Sequence, residues 1–184
     1  MSEKEIQWGE ILSSLSSSSM YFRPKEGRTR VRLLLPKGEA PTKFYREVQT
    51  SYNGKVKPRY LVMALIFDGE GVSPEMAKTA TPMVIAKTVL KGIISLLVEG
   101  YDLFDPEEGH GLTIIRTGQG LNTDYSVMPS QKPIPIPADI TWPSDDFDTI
   151  AETFTQGSFE MDKQRQSGDG GAPRPTSGNL LDDF

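Results

Sequence analysis

The side chains with the clearest chemical potential lie between residues 21 and 60, where cations and aromatic rings are interleaved. This stretch holds 11 Lys or Arg residues against 3 acidic ones, a local charge of +8 in a chain whose net charge is −5. Cations can follow phosphates, while aromatic faces stack on unpaired bases at about 1–3 kcal/mol per base. A duplex would require the cations but not the stacking. The pattern therefore predicts a groove for single-stranded nucleic acid, bound with little sequence preference.

The candidate binding residues are the cations and rings of this block, joined by one Arg and one Tyr of a later hairpin. They are Arg23, Lys25, Arg28, Arg30, Arg32, Lys43, Tyr45, Arg46, Tyr52, Lys55, Lys57, Arg59, Tyr60, Arg116 and Tyr125. Solvated charges and buried rings are the alternative interpretation of the same residue types. The charge excess is local and falls on a strand face, which favours binding. The sequence does not separate the rings that stack from the rings that are buried.

Strands are the elements that must position these side chains. Residues 28–35 alternate, which places Arg28, Arg30 and Arg32 on one face and apolar residues on the other. Residues 43–52 are rich in β-formers and end at Asn53-Gly54, a strong hairpin signal. Residues 60–67 are apolar throughout, as in a strand covered on both faces. We predict three meandering strands here.

A helix and a second strand pair are predicted to follow. From Thr81 the apolar residues recur at helical spacing until Gly100, which indicates a helix of about 16 residues. Residues 112–116 and 123–128 are predicted as strands joined by a Gly-containing turn, and a Pro-rich extended exit follows. The predicted fold is mainly β (α+β), an OB-type five-stranded barrel over residues 20–142 with a helical insertion between strands 3 and 4.

Both ends of the chain differ in composition from this core. Residues 1–19 form a predicted arm with a Ser-rich flexible joint, and the arm, through Trp8, is a candidate for self-association on DNA. Residues 143–184 are predicted to be an acidic, largely disordered tail. The tail ends in a short acidic and hydrophobic tip suited to docking on partner proteins, namely Leu180, Leu181, Asp182, Asp183 and Phe184.

Several classes of function are disfavoured by what the chain lacks. It has no Cys and one His, so there is no disulfide framework and no Cys/His zinc site, and no cofactor is predicted. It has no phosphate-binding P-loop and no nucleophile motif, so no enzyme is predicted. No apolar stretch approaches the length of a membrane span, and we expect a cytoplasmic protein without membrane contact.

Two segments resemble the single-stranded DNA-binding (helix-destabilising) proteins of tailed bacteriophages. Residues 22–34, FRPKEGRTRVRLL, are similar to the opening strand of that family, and residues 116–127, RTGQGLNTDYSV, are similar to its closing hairpin. A helical stretch ending at residues 101–106 and the acidic tail with its terminal aromatic add to the likeness. Family members with a zinc site use Cys and His ligands, so zinc must be absent from this chain. The resemblance implies an OB-type core, binding without catalysis, and a role in the infected bacterial cell.

The expected function is therefore to coat and protect single-stranded DNA during phage replication, recombination and repair, and to recruit replication or recombination proteins through the tip. One alternative is a protein-protein interaction module of the replication machinery with only incidental DNA affinity. Another is a metal-dependent nuclease that uses Asp145, Asp146 and Asp148, which the position of these residues beside the acidic tail disfavours.

Overall fold

The computed structural model describes residues 21–167. These residues form six antiparallel strands, one helix inserted between strands and one C-terminal helix. The elements are β1 (Gly27–Leu34), β2 (Tyr45–Tyr52), β3 (Lys55–Asp68), β4 (Thr81–Ile85), α1 (Lys87–Val98), β5 (His110–Thr117), β6 (Asp124–Pro133) and α2 (Phe147–Ser167). Short 3-10 turns lie at Pro41–Lys43, Pro74–Ala77 and Gly120–Asn122. The prediction of a mainly β fold with a helical insertion is confirmed, but these residues form six strands where five were predicted, and the helix lies between β4 and β5 and not between strands 3 and 4.

One long strand, β3, organises the sheet. The strand order is β2-β3-β1-β5-β6, and β4 pairs with β3 in addition. Residues 55–62 of β3 pair with β2, whereas residues 63–68 pair with β1. Because β4 pairs with residues 60–64, which overlap both ranges, β4 must lie on the opposite edge of β3. The predicted meander of three consecutive strands is therefore wrong in one respect, since β1 pairs directly with β3 and not with β2.

The hairpin between β2 and β3 is confirmed in its position and its turn. Tyr52 pairs with Lys55, so Asn53 and Gly54 form a two-residue loop. Both residues have positive φ, 49° and 75°, as the favoured hairpin turn requires. Asn tolerates this left-handed conformation better than other side chains, and Gly adopts it without steric cost.

The segment from Thr81 to Ile85 is a strand and not the start of a helix, which corrects the prediction. All five residues of β4 are buried, and they pair with Tyr60 to Ala64 of β3. Three of them, Thr81, Val84 and Ile85, are β-branched and favour a pleated, buried surface. Helix α1 consequently begins at Lys87 and has 12 residues.

Apolar cores lie on both sides of the sheet. On one side α1 packs through Val89, Leu90, Ile93 and Leu96 in a cluster with even-numbered residues of β3 such as Val62 and Ala64. On the other side α2 packs in a cluster with the odd-numbered residues of β3. The α2 residues in this cluster are Phe147, Ile150, Ala151 and Phe154. The strand alternates between the two cores because successive side chains point to opposite faces. The prediction that residues 60–67 are covered on both faces is therefore confirmed for residues 61–66, all of which are buried.

Helix α2 corrects the prediction that the chain beyond residue 142 is largely disordered. Residues 147–167 form a continuous helix, although its polar composition is unfavourable for a stable isolated helix. Packing of four apolar side chains against the sheet supplies the stabilisation that composition alone did not indicate. The predicted N-terminal arm and the tip Leu180–Phe184 lie outside the described residues.

The C-terminal half of α2 follows the outer edge of β2. Side chains one turn apart accept hydrogen bonds from the β2 backbone: Gln49 N donates to Thr155 Oγ1 at 3.2 Å, and Ser51 N donates to Ser158 Oγ at 2.8 Å. One turn further, the Asp162 carboxylate accepts from Asn53 N and Gly54 N at 2.6 and 3.0 Å. These contacts satisfy edge groups that would otherwise be open to pairing with another chain.

Asp162 should make the docking of α2 sensitive to acid. The Ser51 hydroxyl donates to this carboxylate at 2.6 Å and, with the two turn amides, lowers the pKa of Asp162 below its ordinary value. Because the folded pKa is depressed, the stabilisation is complete above the unfolded-state pKa of about 4 and is lost as pH falls through the folded value. We expect the protection factors of the Ser51, Asn53 and Gly54 amides, measured by hydrogen exchange relative to the intrinsic rate at each pH, to fall below pH 4.

The matched variant for this prediction is Asp162→Asn. It should show low protection factors at the same amides already at pH 7, with little further change in the protection factors on acidification. If the variant exchanged as slowly as the parent chain at pH 7, Asp162 would not hold the hairpin.

Residues 22–24 bridge two parts of the sheet that are not paired as strands. Phe22 donates from its amide to Pro82 O and accepts from Val84 N, so it extends the free edge of β4. Two residues later, Pro24 O accepts a hydrogen bond from Arg116 Nη1 of β5 at 3.3 Å. This bridge brings the ends of β4, β5 and β6 together and creates the cleft described next.

Candidate nucleic-acid interface

A cleft with two arginines and a tyrosine lies at this bridge. Its walls are the segment after Phe22, Arg59 of β3, the end of β4, the first turn of α1 and the start of β6, and they enclose about 10 Å³. The lining residues are Arg23, Pro24, Arg59, Val84, Ile85, Ala86, Val89 and Tyr125. Arg23 and Tyr125 are 102 residues apart in sequence, and Arg59 lies between them. All three belong to the predicted binding set.

Electrostatics at this cleft favour an anion. Arg23 and Arg59 are both half-buried, and the guanidinium carbon of Arg23 also lies 5.7 Å from the centre of the Phe154 ring of α2. Ala86, the residue before α1, and Val89 in its first turn place the positive end of the helix dipole at the same wall. Arg116 lies behind the cleft with its guanidinium carbon 5.9 Å from the centre of the Tyr125 ring. The cleft therefore presents positive charge beside an aromatic ring.

The other predicted residues differ widely in exposure. Those exposed are Lys25, Arg28, Arg30, Lys43 and Lys55. Those half-buried, in addition to the three in the cleft, are Tyr45, Arg46, Tyr52, Lys57 and Tyr60. Two are buried, Arg32 and Arg116. The structure thus supports a surface position for 13 of the 15 residues in whole or in part.

Arg32 is the clearest correction to the predicted cationic face. It pairs with Leu65 of β3, on the same side of the sheet as Arg28 and Arg30, so the predicted alternation is confirmed. Its side chain is nevertheless 0% exposed, and its guanidinium donates to four backbone carbonyls, those of Leu33, Leu103, Asp105 and Ile134. Burial lowers the pKa of Arg32 from its ordinary value, and Asp102 and Asp105 oppose that shift. Arg32 is a structural residue.

The loop that covers Arg32 is shaped by two aspartates. The Asp102 carboxylate accepts from Phe104 N and Asp105 N, and the Asp105 carboxylate accepts from Glu107 N and Glu108 N, all at 2.8–2.9 Å. Such Asx turns fold the loop back so that its carbonyls meet the guanidinium. At Gly109 a Cβ atom would collide with Arg32 Nη2, so the loop can approach this closely only with Gly there.

Arg116 and Arg46 also make contacts within the fold, so neither is a simple surface cation. Arg116 is 5% exposed, and its contact with Pro24 O is part of the bridge. Arg46 lies 2.6 Å from both Glu39 and Asp148 and stacks over the Phe147 ring at 5.0 Å. Two carboxylates compensate its charge, so Arg46 anchors the start of α2 more directly than it could hold a phosphate.

The exposed cations form two groups and not one continuous groove. Arg28 and Arg30 lie near the end of β3 that contains Asp68, whereas the exposed Lys55 and the half-buried Lys57 lie at the opposite end. Between them, Leu61, Met63 and Leu65 are covered by the apolar side chains of α2. The hypothesis of a single groove from β1 to the hairpin is therefore wrong, because α2 occupies the intervening face.

The four tyrosines of the predicted binding set have different surroundings. Tyr45 and Tyr60 pack against the core on the α1 side and meet edge to face at 5.9 Å, next to Phe44. Tyr52 lies beneath the Arg165 guanidinium of α2 at 5.2 Å. Tyr125 is the predicted aromatic residue that lines the cationic cleft.

Two of the three aspartates of the nuclease hypothesis, Asp146 and Asp148, have structural partners. Asp146 accepts from Thr149 N at 2.7 Å, which caps α2 and lowers the pKa of Asp146, and Asp148 pairs with Arg46. Across residues 21–167, no three His, Asp or Glu side chains gather as metal ligands would. Over the same residues, neither helix has the length and apolar character needed to cross a bilayer.

Sequence reasoning missed the contribution of β4 and the first turn of α1 to the cleft. A helix that began at Thr81 would have its N-terminus, and the positive end of its dipole, six residues before the observed one and away from the cleft. The signal that could have located it is the cluster of β-branched residues in Thr81–Ile85, followed by helical spacing only from Lys87 onward.

Comparison with known proteins gives no match for this chain, neither to a protein-family model nor to a curated protein or a solved structure at a significant level.

Proposed function

We propose that this chain binds single-stranded DNA with little sequence preference, through the cleft formed by Arg23, Arg59 and Tyr125. The observation that carries the proposal is the convergence of two cations, an aromatic ring and a helix N-terminus at one place, from four separate segments. The interior of the cleft, about 10 Å³, holds no more than a water molecule, so we place the strand across its mouth, with a phosphate against the arginines and a neighbouring base against the tyrosine ring. A paired base is stacked within its duplex and has no free face for that ring.

Nearby exposed cations extend the proposed path of the strand. Lys25 follows the bridge segment and lies beside Gly71, with its ammonium 3.7 Å from the position of a Cβ there. Arg28 and Arg30 continue on β1 beyond it, both exposed. We therefore infer that the strand runs from the cleft along the start of β1 and not along the β2-β3 hairpin.

The proposed fold is an OB-like barrel, and the proposed setting is phage DNA replication, recombination and repair. Six antiparallel strands with an inserted helix, bridged at residues 22–24, are compatible with a barrel of that type. The resemblance of residues 22–34 and 116–127 to phage helix-destabilising proteins supports the setting. Residues 180–184 remain the proposed docking tip for replication or recombination proteins.

The proposal is tested by titrating the full-length chain with a fluorescent oligo-dT and with a matching duplex, at low and moderate salt and without added metal. We expect binding to the single strand alone. Its affinity should fall with salt by a logarithmic slope of about −0.7 for each phosphate contacted. Equal affinity for the duplex, or a slope near zero, would contradict the proposed mode.

An interaction module with incidental DNA affinity is the second candidate, and one observation favours it. A cleft of about 490 Å³ lies between the loop before β2 and the start of α2. It is lined in part by Met63, Phe147 and the half-exposed indole of Trp142, which are suited to an apolar anchor from another protein. If the titration detects no saturable DNA binding at low salt, even after removal of residues 168–184, this candidate replaces the first.

A further inference from the structure

Helix α1 carries an exposed stripe of apolar and cationic side chains that is suited to binding a partner segment. Lys87, Lys91, Ile94 and Val98 follow one another at intervals of four, three and four residues, so they lie on one face of α1, and Tyr101 follows three residues after the helix ends. Val98 is 82% exposed, Ile94 38% and Tyr101 37%, and both lysines are exposed. Single exposed apolar residues are ordinary, but two in line on the helix beside two cations, with a third just beyond the helix end, form a surface. We call these five residues the α1 stripe.

We propose that residues 3–12 of the same chain dock on the α1 stripe. This segment contains Ile6, Trp8, Ile11 and Leu12, four large apolar residues in a short run. Its three glutamates and single lysine give it a net negative charge, which complements Lys87 and Lys91. The proposal does not depend on DNA binding.

The length of the chain permits this contact within one molecule. Phe22 lies opposite Met83, and the strands there are about 5 Å apart. From Met83 to Ile94 the chain has four extended and seven helical steps, so these two residues are at most about 24 Å apart. The ten residues from Leu12 to Phe22 can span about 33 Å when extended. Leu12 can therefore reach the middle of the α1 stripe.

Docking within one chain is favoured over docking between chains by the short tether. Residues 3–12 are covalently attached within reach of the stripe, so their docking does not depend on protein concentration, whereas a second copy must be recruited from solution.

Tryptophan fluorescence tests the proposal directly, since the chain has only Trp8 and Trp142. In the Trp142→Phe variant Trp8 is the sole reporter. We expect its emission to be blue-shifted relative to a synthetic peptide of residues 1–19, and the shift to persist unchanged on dilution. Emission identical to that of the peptide would overturn the proposal, and a shift lost on dilution would assign the stripe to a second copy.

Variants on the stripe identify the docking face. In the Trp142→Phe background, Val98→Asp should abolish the blue shift, and Lys87→Glu with Lys91→Glu should reduce it. The matched control is Leu121→Asp, a residue 96% exposed on a loop outside the stripe, which should leave the emission unchanged. Far-ultraviolet circular dichroism confirms that each variant retains its fold. An unchanged blue shift in both stripe variants would overturn the proposal.

The acidic tip is the competing occupant from this chain, since Leu180, Leu181 and Phe184 are also apolar beside acidic residues. Removing residues 180–184 should leave the Trp8 emission unchanged. A change in the Trp8 emission on that deletion would indicate that the tip binds the stripe, and it would contradict the proposed docking of residues 3–12.

Discussion

Replacing Arg23 and Arg59 together with glutamine should weaken binding of single-stranded DNA by roughly a hundredfold at moderate salt. Each charge-assisted contact to a phosphate contributes about 1.5 kcal/mol, and two such contacts sum to about 3 kcal/mol. The salt slope should decrease in magnitude by about 1.4, because two phosphates are no longer neutralised. Glutamine retains part of the aliphatic stem and so limits the change in packing.

A matched double variant separates the local effect from the loss of charge. Lys78→Gln with Lys163→Gln removes the same two charges from exposed positions outside the cleft. It should leave the affinity within about twofold, since surface charges beyond a Debye length of about 8 Å are largely screened. Urea unfolding of both doubles checks stability, because Arg23 also contacts the Phe154 ring. Equal losses of affinity in the two doubles would show that the cleft has no special role.

Replacing Arg32 with methionine should destabilise the fold by about 3–5 kcal/mol, which is a large part of the stability of a domain of this size. Methionine has a similar length, but it leaves four backbone carbonyls without their donor, three of them in segments outside β1. The loop around Asp102 and Asp105 should lose its anchor. The effect is measured as the change in the free energy of unfolding by urea.

Arg28 provides the matched control for Arg32, since both lie on β1 and on the same face of the sheet. Arg28 is exposed, so Arg28→Met should change the free energy of unfolding by less than about 0.5 kcal/mol. Arg32→Lys should lie between the two, because lysine keeps the charge but has fewer donors without the planar geometry. Equal stabilities for Arg32→Met and Arg28→Met would contradict the structural role of Arg32.

Local patterns predicted the elements that depend on local chemistry. The alternation in residues 28–35 fixed which side chains share a face, and Asn53-Gly54 located the hairpin because few other residues adopt its backbone angles. The apolar run of residues 60–67 indicated burial on both faces, and the structure buries residues 61–66. In each case the signal lies in neighbouring residues, although the burial of residues 61–66 is completed by α1 and α2.

The errors arose where distant segments decide the outcome. Arg32 resembles its neighbours in sequence, and only the loop around Asp105, more than 70 residues later, removes it from solvent. Residues 147–167 have the composition of a tail, and only the sheet surface they cover makes them a helix. Arg23, Arg59 and Tyr125 were each predicted as binding residues, but their meeting at one cleft depends on the bridge between β4 and β5.

The most direct test of the central claim is photo-cross-linking of the full-length chain to an oligo-dT that carries 5-iodouracil, followed by mass spectrometry of the cross-linked peptides. Iodouracil couples preferentially to aromatic side chains in contact with the base. We expect the principal cross-link at Tyr125, competed by unlabelled single strand and not by duplex, and absent when Tyr125 is replaced by leucine. Cross-links confined to Tyr45, Tyr52 or Tyr60, or an equal yield in the presence of excess single strand, would contradict binding at the cleft.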